Sequence, residues 1–118
     1  MAKYTYPALI KEDPECGYTV EFPDWEPQWT GMTHGRDWDE ALYMGNDLLN
    51  LMCLITEEDG EKFPEPNHGL VPDKKNYIFF FTADTEYYRK LCTYNKKRRL
   101  RWRMIIRMQR KYRRKHVS

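Results

Sequence analysis

The chain has 118 residues, 41% hydrophobic, 15% aromatic and 32% charged, with a formal net charge of +2. That is apolar material enough for one domain with a core, which excludes a fully disordered chain, and no apolar run reaches the ~18 residues of a membrane-spanning helix. The net charge conceals a partition: positions 1–88 hold all 18 acids and 6 bases, a balance of −12, and positions 89–118 hold 14 Lys and Arg and no acid.

Lys3–Glu12 is an aromatic and aliphatic run that stops at the turn cluster Asp13-Pro14-Glu15-Cys16-Gly17. Tyr18–Phe22 follows, with Tyr18, Val20 and Phe22 alternating onto one face until Pro23-Asp24 ends it. The two runs predict a β-hairpin with a five-residue loop, and Pro7 predicts an edge position or a bulge in the first strand. A third strand is expected around Gln28–Met32. Asp37-Trp38-Asp39-Glu40 has the spacing of a capping box, and its acids suit the positive end of a helix dipole. Trp38, Ala41, Leu42, Gly45, Leu48, Leu49, Met52 and Ile55 then recur at helical steps, which predicts about five turns ending at Gly60. Phe63-Pro64-Glu65-Pro66-Asn67 predicts an extended connector. Tyr77–Phe81 is a continuous apolar run, expected as a buried strand, and Asp84–Leu91 a short helix capped near Asp84 or Thr85. The order β-β-β-α-β-α predicts an α+β fold: an antiparallel sheet of three to four strands with one long helix on one face. Residues 1–90 form the expected body and 91–118 a basic, helical C-terminal segment.

Three motifs in order carry a resemblance. Gly17-Tyr18-Thr19-Val20-Glu21-Phe22-Pro23-Asp24 resembles the "GY-x-V-x-FPD" signature of the HicB antitoxin family. Gly35-Arg36-Asp37-Trp38-Asp39-Glu40-Ala41 is similar to that family's "G-x-T-x-EEA" helix start, and the connector with Pro64 and Pro66 to its "I-P-x-P-S" stretch. The resemblance spans roughly residues 3–67. It implies a partial ribonuclease H-like fold (β-β-β-α-β) in a cytoplasmic antitoxin that binds a small HicA-type toxin, an mRNA-cleaving ribonuclease. It also implies self-repression through a C-terminal DNA-binding module and a homodimer or higher oligomer. The sequence departs from the family after Asp24, where Trp25-Glu26-Pro27-Gln28-Trp29 stands in place of a "PG-C" turn. Trp25 and Trp29, with Asp24, are candidate partner-binding residues because tryptophan is favoured at interface hot spots. The alternative is that the two tryptophans cap the open end of the sheet. The 27 residues after Leu91 are too few for a ribbon-helix-helix unit, so a DNA role has to rest on their own chemistry.

Lys96–His116 contains no Gly, Pro, Asp or Asn, and its residues favour a helix. On a helical wheel Arg99, Arg103, Arg107, Arg110 and Arg114 form one stripe over ~22 Å, preceded by Lys96, Lys97 and Arg98. Leu100, Met104, Met108 and Tyr112 form an apolar stripe beside it. A strand reading competes, with Leu100, Trp102, Met104, Ile106 and Met108 alternating against arginines; the helix is preferred because the pattern continues past Met108 without a turn residue. Either form would hold DNA through phosphates, which gives affinity and salt dependence without naming a sequence. Tyr94, Trp102 and Tyr112 would equally suit unpaired RNA bases. The segment could instead fold back on the acidic body, or remain a solvated charge run. A membrane surface is disfavoured, because anionic lipid would repel that body.

Cys16, Cys53 and Cys92 are odd in number and form no CxxC pair, which argues against a disulfide framework and a zinc site and fits a reducing cytoplasm. The first residues lack an apolar signal segment. His34, His68 and His116 sit in dissimilar contexts, and no nucleophile motif or phosphate-binding loop is present. Residues 3–11 carry no acid, whereas ribonuclease H chemistry needs a carboxylate central on the first strand. The expectation is a binding protein with no catalytic residue, metal or cofactor. The alternative is a nucleic-acid-binding module without a toxin, its acidic body serving for oligomerisation.

Overall fold

Alternating apolar positions lay the first two strands against each other, and the capping box starts the helix that covers them. The computed structural model describes residues 3–15, 17–25, 32–67 and 76–94. In chain order they form β1 (Lys3–Asp13), β2 (Gly17–Glu21), a 3-10 turn (Pro23–Trp25), β3 (Met32–Gly35), α1 (Trp38–Asp59), β4 (Asn76–Asp84) and α2 (Thr85–Tyr94). The strands make one antiparallel sheet in the order β3-β2-β1-β4, so the fold is α+β as the element order predicts.

Tyr6, Ala8 and Ile10 of β1, Val20 of β2, and Phe81 and Ala83 of β4 share the face that α1 covers. They form one core with Ala41, Leu48, Leu49 and Met52 of the helix, each large side chain contributing about 1.5–3 kcal/mol by its burial. Gly45 brings the helix close: a Cβ there would lie 2.7 Å from Phe81 Cζ and 3.2 Å from Val20 Cγ1.

The helix start follows the expected capping box with one change. Asp37 Oδ1 accepts the Glu40 N–H (2.8 Å), but Glu40 reaches back one residue further than the cap, accepting the Arg36 N–H (3.1 Å) and the Arg36 guanidinium (3.2 Å). The C-terminus is a left-handed Gly60 (φ 66°), whose N–H and that of Glu61 close on Glu57 and Thr56 carbonyls.

The structure refines the sequence expectations for the hairpin loop, β3, Pro7 and β4. The hairpin loop has three residues, not five, because Asp13 still pairs with Gly17 and Asp13 Oδ1 accepts the Glu15 N–H (2.9 Å) inside the turn. Strand β3 is described at Met32–Gly35, with Tyr18 against Gly35 and Glu21 against Met32; it meets the expected Gln28–Met32 at Met32, and residues 28–31 lie outside the described ones. Pro7 makes no bulge, since the β1–β4 ladder runs through it unbroken; the expected edge position holds locally, because pairing to β2 begins only at Leu9. Strand β4 is not buried: Tyr77, Phe79 and Phe80 are 52%, 38% and 48% exposed. Among the described strands it has one neighbour, β1. Helix α2 begins where expected, with Asp84 Oδ1 accepting the Tyr87 N–H (3.1 Å).

Gly35 and Gly17 should tolerate a side chain far less than Gly60. A Cβ on Gly35 would sit 2.3 Å from the Ala41 nitrogen, and one on Gly17 (φ 98°) 2.4 Å from the Gly35 oxygen, whereas Gly60 faces open space. Urea unfolding should show Gly35→Ala and Gly17→Ala each losing ~2–3 kcal/mol or more, and Gly60→Ala about 1 kcal/mol.

Candidate partner interface

The motif residues gather at two structural corners. At the first, Gly17 and Gly35 bring β2, β3 and the start of α1 into backbone contact at Ala41, with Glu40 clamping Arg36 beside them. The Arg36 N–H, then its guanidinium, hold the Glu40 carboxyl below the usual carboxylate range. The Tyr18 ring packs edge-on against Trp38, and Trp38 against Tyr77. At the second corner the proline connector is tied down: Asp24 Oδ2 accepts the Asn67 N–H (3.0 Å), and Tyr6 OH donates to the Pro64 carbonyl (2.6 Å). Phe22, fully buried, packs against Phe81. Pro23 opens the 3-10 turn in which the Phe22 carbonyl accepts the Trp25 N–H (3.1 Å), and Pro66 keeps the connector extended.

The interface role expected of Trp25 is corrected by this packing. Trp25 is 2% exposed, edge-on to Tyr6 at 5.1 Å and to Phe63 at 6.1 Å, so its ring belongs to the core. The 3-10 turn folds it inward, in keeping with the alternative that it closes the sheet end. Asp24 is half-buried and engaged with the connector, and Trp29 lies outside the described residues. So do Lys96, Lys97, Arg98, Arg99, Arg103, Arg107, Arg110 and Arg114.

Glu57 ties three elements together. Its carboxylate accepts Tyr4 OH of β1 (2.7 Å), Thr85 OH of α2 (2.9 Å) and the Arg89 guanidinium (3.2 Å). Burial, then the bond to Glu57, pushes the Tyr4 phenol up to about 12. The network sets where α2 lies. The spacing Glu57…Arg89 carries no sequence signal, so this tie was not foreseeable.

The described residues hold 16 acids and 6 bases, so the body presents an acidic surface. Glu12, Asp13 and Glu15 crowd the hairpin end, where they line a shallow groove with Tyr18 and Arg36. His34 is exposed on β3, and Cys53 is buried with its thiol held protonated by desolvation. Among the described residues no three His, Cys, Asp or Glu side chains converge as a metal site, and no helix is long and apolar enough to cross a membrane.

No protein-family model matches this chain, and no curated protein matches it. Among solved structures it is similar to a chain of a toxin-antitoxin complex from Streptococcus pneumoniae. The likeness has a TM-score of 0.62 and 25% identity, and covers 74% of this chain and 73% of that one.

Removing the Glu57 carboxylate should loosen the α2 anchor. Glu57→Ala is expected to lower stability by ~1–3 kcal/mol in urea unfolding. Because folding raises the Tyr4 pKa from 10.0 to about 12, its contribution is complete below pH 10 and lost as pH climbs toward 12. The stability gap between wild type and Tyr4→Phe should therefore shrink across that window.

Proposed function

We propose that this chain is the antitoxin of a toxin–antitoxin pair. The observation that carries the reading is the fold shared, at 25% identity over 74% of the chain, with a chain of a toxin-antitoxin complex. The HicB-like motifs support it, since the residues that match do structural work at the two corners of the fold. In this reading the body, residues 1–90, binds a small basic HicA-like mRNA ribonuclease and covers its active site, with no chemistry in this chain. A body with 16 acids and 6 bases speeds capture of a basic partner through long-range attraction. Trp29 and Asp24 are proposed contacts, and Trp25 is not. The segment 91–118 is proposed to bind operator DNA through its arginines, in the cytoplasm and from an oligomer, because one short helix covers little of a DNA turn.

The charge partition favours one second reading, a DNA- or RNA-binding module without a toxin. Purification from the native host with nuclease present separates the two. A stoichiometric small basic protein, whose growth toxicity this chain relieves, establishes the antitoxin reading; the chain alone, with nucleic acid recovered once nuclease is omitted, establishes the module.

If the segment holds DNA through about 6–10 phosphates, affinity should fall ~10³–10⁵-fold between 50 and 200 mM salt. A triple change of Arg103, Arg107 and Arg110 to Ala should abolish DNA retention and leave toxin binding intact. Gel-shift titrations and co-purification check both, and a flat salt response would remove the DNA role.

A further inference from the structure

We draw no further inference here: the strongest candidate, the shallow groove at the hairpin end where Glu12, Asp13 and Glu15 stand beside Tyr18 and Arg36, is a cluster of acidic side chains with no second feature among the described residues to show what it would hold.

Discussion

The backbone of Gly35 lies against the backbone of Ala41, and most of the structure depends on that contact. No side chain could stand between the end of β3 and the first turn of α1. Gly17 repeats the arrangement on the neighbouring strand, where its missing Cβ leaves room for the Gly35 carbonyl. The capping interactions of Asp37 and Glu40 then fix the direction of the helix at the same point. With origin and direction set, α1 meets the sheet in one register, Gly45 against Phe81 and Val20.

What happens further along α1 follows from its straight course. Next to Gly45 and one turn further on, Asn46 and Asn50 reach the end of β4 and engage the Thr82 carbonyl and the Asp84 N–H. Two turns later Glu57 gathers Tyr4, Thr85 and Arg89. A single helix thus closes the core, engages the end of β4 and orients α2, at whose end the basic segment begins. Shifting the helix by one residue would misplace all three, which explains why matches to the HicB-like motif cluster at its start and not along its length.

Charge divides the labour between the two parts of the chain. The described body carries 16 acids against 6 bases, and 12 of the 20 lysines and arginines follow α2 in the sequence.

The sequence by itself determined the elements whose signals are local. The capping box at Asp37, the stop at Gly60, the hairpin, the α+β order and the division of charge are all carried by neighbouring residues, and the first four are found where local chemistry puts them. Tertiary structure decided what depends on neighbours distant in the chain. Tyr77–Phe81 has the apolar continuity of a buried strand, yet Tyr77, Phe79 and Phe80 are exposed, because among the described strands it pairs with β1 alone. Trp25 has the residue type of an interface anchor, yet the 3-10 turn carries it into the core beside Tyr6 and Phe63. Asn46, Asn50 and Glu57 gave no local sign, since their partners are 28 to 53 residues away. Periodicity reports which face of an element is apolar; only the assembled fold settles what that face meets.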